Sequence, residues 1–316
     1  MPMDVSIIIV NYNTKELISN CIQSIYEKTI GINYEIVVVD NASEDGSQQM
    51  ITQDFKIVKL IKLNENIGFG RANNYAMTVS KGKYLFFLNS DTKLKSNAVK
   101  IFYDFMEMNS STIKIGAIGS LLLNEKGEIC HSSGQFPQFK NDIIMAVKTK
   151  IYSLLGENLV RKFKARFNYF YKKMEKNYFL KNESFYHVDY ITGADLFVLA
   201  ETFINFGGFD KQYFMYFEET DLQYKMKQND YERLIIKGPE IYHYESLSFG
   251  SASKKSNQKR IYSDISRFLY YKKNYNKLIY YLFRFIFFII QLFPVFNISY
   301  TKKERMDYLK NLLKPL

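Results

Sequence analysis

Three apolar runs dominate the first hundred residues: Val5 to Val10 (VSIIIV), Glu35 to Val39 (EIVVV) and Tyr84 to Leu88 (YLFFL). Each ends abruptly in polar residues. Runs of this length without polar alternation predict strands buried on both faces. Lys56 to Leu63 (KIVKLIKL) predicts a further strand between the second and the last. Helical patterns fill the gaps. Leu17, Ile18, Cys21, Ile22 and Ile25 recur at helical spacing behind Thr14, a candidate cap. Asn41 to Ser47 is turn chemistry leading into a second helix, and a third is expected from about Arg71 to Ser80. Strands alternating with helices predict βαβ units and a mostly parallel central sheet. Right-handed crossovers then put the carboxyl ends of the strands on one edge, so Asn11, Asp40, Asn66 and Asp91 should converge there. That edge is where open α/β sheets bind ligands.

Further along, Gly116 to Leu123 predicts a strand, with Gly127 to His131 as its hairpin partner. Lys140 to Asn182 reads as helical, with basic and aromatic residues alternating from Arg161 to Tyr171. Val188 to Ala200 reads as a strand interrupted at Gly193, and Gly207 to Asp210 as a tight turn. Phe214 to Asp221 leads into a helix that runs through Met226. The stretch Leu278 to Phe296 carries one charge, Arg284, in 19 residues, and Pro294 interrupts it. A spanning helix needs about 20 apolar residues, so an in-plane or re-entrant anchor is expected rather than a span.

Charge alters this picture. The 316 residues have a net charge of +11, but residues 251–316 hold 14 Lys and Arg against 3 Asp and Glu, and residues 140–182 hold 11 against 3. The remainder has a net charge of −8. An acidic body with two basic, apolar attachments suits an anionic membrane surface and disfavours nucleic acid, whose ligands display basic residues without long apolar runs. Residues 1–250 are therefore expected to form the α/β domain: a first half (1–125), a basic amphipathic insertion (140–182) and a second half (183–250). Residues 251–316 are expected to form a membrane-associating helical tail. Two cysteines, Cys21 and Cys130, are too few for a disulfide framework or a zinc site and fit a reducing compartment. The amino-terminal residues run straight into a strand, without the basic and apolar segments of a secretory signal.

The candidate chemistry sits at the strand ends. No G-x-G-x-x-G follows the first strand and there is no Walker lysine loop. Gly68-Phe69-Gly70 follows a later strand and reads as a turn in which glycine relieves backbone strain. Asn89-Ser90-Asp91 places a carboxylate beside small polar groups at a buried strand's end, where it can face a metal and a phosphate; an ordinary Asx turn is the alternative. Glu218, Glu219 and Asp221 crowd a predicted helix start, more carboxylate than capping requires.

With these stretches in view, the chain resembles the family 2 glycosyltransferases, in particular their rhamnosyltransferase-like branch. The matching stretches run in the family's order: VSIIIVNYN (5–13), EIVVVDNASEDGS (35–47), NENIGFGRANN (64–74), YLFFLNSDT (84–92), TGADLFV (192–198), GGFDKQYFMYFEETDL (207–222) and His243. The resemblance implies a GT-A fold, a nucleotide-sugar donor, Mn²⁺ or Mg²⁺, and inversion at the sugar carbon. On it, Asn11 and Asn13 border the nucleotide pocket, with Asp40 meeting the base and Asn41 beside it. Asn66, Gly68, Phe69 and Asn73 line the ribose and diphosphate side, and Ser90, Gly193 and Ala194 lie on the donor side. Asp91 and His243 hold the metal, although Asn89 stands where the family's Asp-x-Asp motif begins. Glu219 takes the catalytic-base position, one methylene longer than the family's aspartate, which leaves Glu218 and Asp221 as competitors; Asp195 would orient a sugar hydroxyl. The resemblance leans to dTDP-rhamnose as donor and to a lipid-linked or cell-envelope polysaccharide acceptor at the cytoplasmic face of the membrane. A UDP-sugar transferase of the same fold and a non-catalytic carbohydrate-binding relative are the alternatives. A nucleotidyltransferase would want a glycine-rich, arginine-containing loop where Asn11 to Thr14 stands.

Overall fold

The computed structural model describes residues 2–154, 183–244, 254–292 and 301–315. The chain divides into two compact units. One is Met1–Phe136 with Glu183–Ser248; the other is Pro137–Asn182 with Phe249–Leu316. The expected insertion and the C-terminal tail thus fall in one unit, separate from the α/β body.

The first unit is built on an eight-stranded sheet. In chain order its strands are β1 (Val5–Asn11), β2 (Tyr34–Asp40), β3 (Lys59–Lys62), β4 (Tyr84–Leu88), β6 (Ile115–Gly119), β9 (Phe185–His187), β11 (Asp195–Leu199) and β12 (Glu232–Ile236). Across the sheet the order is β3-β2-β1-β4-β11-β6-β12-β9. β3, β2, β1 and β4 are mutually parallel, as are β6 and β12. β11 runs antiparallel to both of its neighbours. β1 and β4 are buried at every position, which is why neither alternates in sequence. Helices Lys15–Lys28, Ser47–Asp54 and Phe69–Met77 make the crossovers. The apolar stripe foreseen for the first is buried at Ile18, Cys21, Ile22 and Ile25.

Short strands complete the unit. β5 (Thr92–Leu94), β13 (Ile241–His243) and β7 (Leu122–Leu123) form a second sheet, and β8 (Ser133–Gly134) pairs with β10 (Tyr190–Ile191). The strand expected over Gly116 to Leu123 is therefore two strands, broken at Ser120. The strand expected over Val188 to Ala200 is likewise two, separated by Thr192, Gly193 and Ala194. The expected hairpin after Gly127 survives as one bridge, Leu123 to Ile129.

The second unit is helical, with helices Phe139–Leu154, Lys254–Asn274, Lys277–Leu292 and Lys302–Leu313. Phe268, Tyr271, Tyr280, Phe283, Phe287 and Tyr308 form its core. The basic and aromatic alternation at 161–171 and the end of the apolar stretch at 293–296 lie outside the described residues. No described helix is long and apolar enough to cross a membrane.

Candidate active site

The carboxyl ends of β1, β2 and β4 carry the polar residues their sequence placed there, and these bond to one another. Asn11 pairs with Asp40 in the β1–β2 register. Its amide donates to Asp40 Oδ2 at 2.7 Å and to the Ser43 hydroxyl at 3.0 Å. Asp40 is wholly buried, and its other oxygen accepts from Ser43 N–H at 2.8 Å and the Gln48 amide at 2.7 Å. Thr14 stands at the helix start without a side-chain capping bond. Its hydroxyl instead donates to Asn11 Oδ1 at 2.6 Å and is hydrogen-bonded to Ser90 at 2.9 Å. This short chain links the end of β1 to Asn89-Ser90-Asp91. Asn13, in the left-handed region at φ 55°, accepts from Glu44 N–H at 2.8 Å and locks the two loops together.

The third loop attaches through amides. The Asn41 side chain donates to Asn66 Oδ1 at 2.8 Å, and its oxygen accepts from Ile67 N–H at 2.9 Å. Asn66 Oδ1 also accepts from Gly68 N–H at 3.0 Å. Gly68 has φ +90°, and a Cβ on it would lie 2.3 Å from the Phe214 carbonyl oxygen, which accepts from Phe69 N–H at 2.9 Å. The Phe69 ring lies 3.3 Å from where a Cβ on Gly193 would stand. Asn73 is buried and donates to the Phe69 carbonyl one helical turn back at 3.1 Å, so it braces the helix start.

Asp91 and His243 meet. His243 Nε2 lies 3.3 Å from Asp91 Oδ1, and both side chains are nearly buried. The small sheet brings them together: His243 pairs with Thr92 across β13 and β5, and Tyr244 N–H donates to the Asp91 carbonyl at 2.8 Å. A carboxylate oxygen and an imidazole nitrogen at this separation stand a few tenths of an ångström wider than the roughly 3.0 Å between adjacent corners of an octahedron with bonds of about 2.1 Å. No group of three or more His, Cys, Asp or Glu suited to a metal occurs among the described residues. The pair could therefore supply only part of a coordination shell, and a bound diphosphate would have to supply more.

Asp195 on β11 pairs with Leu88 at the end of β4, at the root of the same loop. Asn89 N–H extends that pairing by donating to the Ala194 carbonyl at 3.0 Å. Asp195 is wholly buried. Its Oδ2 accepts from both Ser120 N–H and the Ser120 hydroxyl at 2.7 Å, and its Oδ1 has no hydrogen-bond partner among the described residues. Burial raises its pKa to about 7, against the pull of the two Ser120 bonds and the His243 charge.

The acidic helix start is helix Glu218–Gln228. Tyr216 and Phe217 before it are both left-handed (φ 70° and 71°), a strain of about 1–3 kcal/mol each that the surrounding packing must hold. Gly70 makes room for it: a Cβ there would lie 3.3 Å from Glu218 Cβ. Gln223 pins the helix to β10, accepting from Ile191 N–H and donating to the Ile191 carbonyl, each at 2.8 Å. The three acids then differ. Asp221 is wholly buried, accepts from the Tyr213 hydroxyl at 3.2 Å and pairs with Lys225 at 3.2 Å, so it braces the helix. Glu218 is buried, and its Oε2 has no hydrogen-bond partner among the described residues. Burial, then the neighbouring Glu219 charge, raises its pKa well above the ordinary glutamate value. Glu219 is half-buried and accepts from the Thr220 hydroxyl at 3.3 Å; burial raises its pKa too. Glu219 is therefore the more reachable of the two carboxyls.

Thr14, Ser43, Gln48, Ser120, Tyr213 and Gln223 were not foreseen as site residues. Ser43 and Gln48 lie in or beside the turn after β2, so that turn signalled them. Ser120 carried no signal, because the break it occupies was hidden in an apolar run.

Residues 6–129 match the family described as Glycosyl transferase family 2. A poly(ribitol-phosphate) beta-glucosyltransferase of Bacillus spizizenii is 32% identical over 159 residues, covering 49% of this chain and 24% of that protein. An N-acetylglucosaminyl-diphospho-decaprenol L-rhamnosyltransferase of Mycobacterium tuberculosis is 24% identical over 226 residues, 68% of each chain. The chain thus spans about a quarter of the first relative and about two thirds of the second. Among solved structures, S. aureus TarS residues 1–349 in complex with UDP aligns with a TM-score of 0.52 at 14% identity, over 98% of this chain and 71% of that one. This last likeness is one of fold: the GT-A-type arrangement of a mostly parallel sheet.

Proposed function

We propose that this chain, whose residues 6–129 form a glycosyl transferase family 2 domain, moves a sugar from a nucleoside diphosphate onto a cell-envelope polymer with inversion at the sugar carbon. The observation that carries this reading is the 3.3 Å contact of Asp91 with His243, at the strand edge where Asn11, Asp40, Ser43 and Ser90 are bonded together. A divalent cation bound at that pair would offset the negative charge that develops on a departing diphosphate.

The protein's own part is to orient the donor and to move one proton. Glu219 takes the proton from the acceptor hydroxyl as its oxygen bonds to the anomeric carbon. The bond from that carbon to the diphosphate oxygen breaks, and the diphosphate leaves with the electron pair. A carboxylate whose pKa is lifted by burial is a better base near neutral pH than an ordinary one. Glu218 beside it is buried, which leaves Glu219 as the more exposed carboxyl for that role.

The donor we favour is dTDP-rhamnose, supported by the motif resemblance and by the mycobacterial relative's named activity. The Bacillus relative's named activity supports a second reading, glucosyl transfer to a polyol phosphate. The test is a donor panel of dTDP-rhamnose, UDP-glucose and UDP-N-acetylglucosamine with Mn²⁺, read as nucleoside diphosphate release. Release with at least one donor is expected. Release from none of them, by protein that is folded, overturns the assignment.

A further inference from the structure

We propose that helix Lys277–Leu292 docks flat on an anionic lipid surface through an exposed apolar face. Leu278, Tyr281, Leu282, Phe285, Ile289 and Leu292 are all exposed. At about 100° per residue these six fall within one arc about 100° wide. The buried residues of the same helix, Tyr280, Phe283 and Phe287, lie on the opposite side and pack into the second unit's core. This helix therefore already has its protein partner on one side and shows a continuous apolar stripe on the other. Stripes of that kind mark surfaces that meet something apolar.

The one charge within the stretch is turned off the stripe. Arg284 donates to the Tyr280 hydroxyl at 3.0 Å and to the Leu312 carbonyl at 2.8 Å, and also to the Lys314 carbonyl. The helix has 16 residues, short of the roughly 20 a span requires, and no described helix qualifies as a span. Lying in the interface is the geometry that buries one apolar face and leaves the other on the protein.

Charge selects the occupant. Residues 137–182 and 249–316 carry 25 Lys and Arg against 6 Asp and Glu. Lys277 opens the helix and is exposed, as are Lys310 and Lys314 at the end of the helix that Arg284 holds. A second copy of the chain would bring like charges together across the stripe, whereas anionic headgroups complement them. The spacing 278, 282, 285, 289, 292 also suits a helical partner, but it lasts only about two heptads, fewer than the three or four that a coiled coil sustains.

The test uses the full chain without donor, so it stands apart from the transferase reading. Co-sedimentation is measured with phosphatidylcholine vesicles containing phosphatidylglycerol and with pure phosphatidylcholine. Binding to the anionic vesicles is expected, weakened by salt and roughly tenfold or more lower in the Leu282→Glu, Phe285→Glu double variant. Both positions are exposed, so the variant should melt as the wild type does. The chain has no tryptophan. Phe285→Trp therefore provides a single reporter whose emission should shift to the blue, and be quenched by brominated lipid, only when anionic vesicles are present. Failure to bind them, equal binding to pure phosphatidylcholine, or an unmoved emission from the Phe285→Trp variant overturns the proposal. So does a wild-type dimer that the double variant converts to monomer without any change in vesicle binding.

Discussion

At the scale of single residues, the site separates carboxyls that one-dimensional reading had to leave together. Glu218 and Glu219 are neighbours, yet the first is buried while the second is half-buried. Glu219→Gln is therefore expected to lower kcat by about 10²–10⁴-fold with donor binding intact, whereas Glu218→Gln stays within about tenfold of the wild type. Steady-state kinetics with calorimetric donor titration measures both, and a reversed order reassigns the base. Asp195 gives a second expectation. Its folded pKa of about 7 lies above the ordinary aspartate value, so its contribution to stability is complete below about pH 4 and is lost as pH rises through 7. The wild-type melting temperature should fall across that window more steeply than that of Asp195→Asn, which keeps the Ser120 bonds and has no proton to lose. Coincident slopes would show that Asp195 is not carrying this titration.

At the scale of elements, helix Phe69–Met77 fixes the acidic loop. The Asn74 side chain donates to the Phe209 carbonyl at 2.6 Å and accepts from Phe209 N–H at 3.0 Å. Phe69 N–H bonds to the Phe214 carbonyl, and the Gly70 backbone abuts Glu218. A methyl group on Gly68 cannot coexist with the Phe214 carbonyl 2.3 Å away and must also hold φ +90°. Gly68→Ala should therefore cost about 1–3 kcal/mol in urea denaturation. It should also lower kcat, because the backbone leading to Glu219 shifts; an unchanged denaturation midpoint refutes the account. The sequence showed that Gly68 sits at a turn, since local strain is a local property. It did not show why Gly70 is glycine, because the side chain it accommodates comes from far along the chain. The same limit explains the rest. Asn11, Asp40 and Asp91 were legible because buried parallel strands are unbroken apolar runs with polar tips. The strand pairing that sets His243 beside Asp91 was legible only through the family resemblance, because β5, β7 and β13 have two or three residues each and show no period.

At the scale of the whole molecule, charge is sorted between the units. Outside residues 140–182 and 251–316 the chain has a net charge of −8, and of the acids in that count Asp40, Asp91 and Asp195 are buried at the strand edge. A diphosphate entering such a place meets like charge, so its binding should be coupled to a divalent cation that neither binds tightly alone. Hydrogen exchange reads this directly. UDP or dTDP with Mn²⁺ is expected to slow exchange at residues 11–14, 40–48, 66–70, 89–92 and 241–244, and to leave the helices Phe139–Leu154 and Lys277–Leu292 unchanged. With the nucleotide at about a hundred times its dissociation constant the gain in stability is about 2.7 kcal/mol, enough to slow exchange through global opening about a hundredfold. Removing Mn²⁺ with EDTA, or introducing Asp91→Asn, should abolish most of that protection. Anionic vesicles should do the reverse, protecting the second unit and leaving the strand edge alone, because the proposed lipid-facing helix belongs to that basic unit. Nucleotide protection that survives both EDTA and Asp91→Asn would mean that the Asp91 and His243 pair does not couple a cation to the donor, and the metal-assisted part of the function would fall with it.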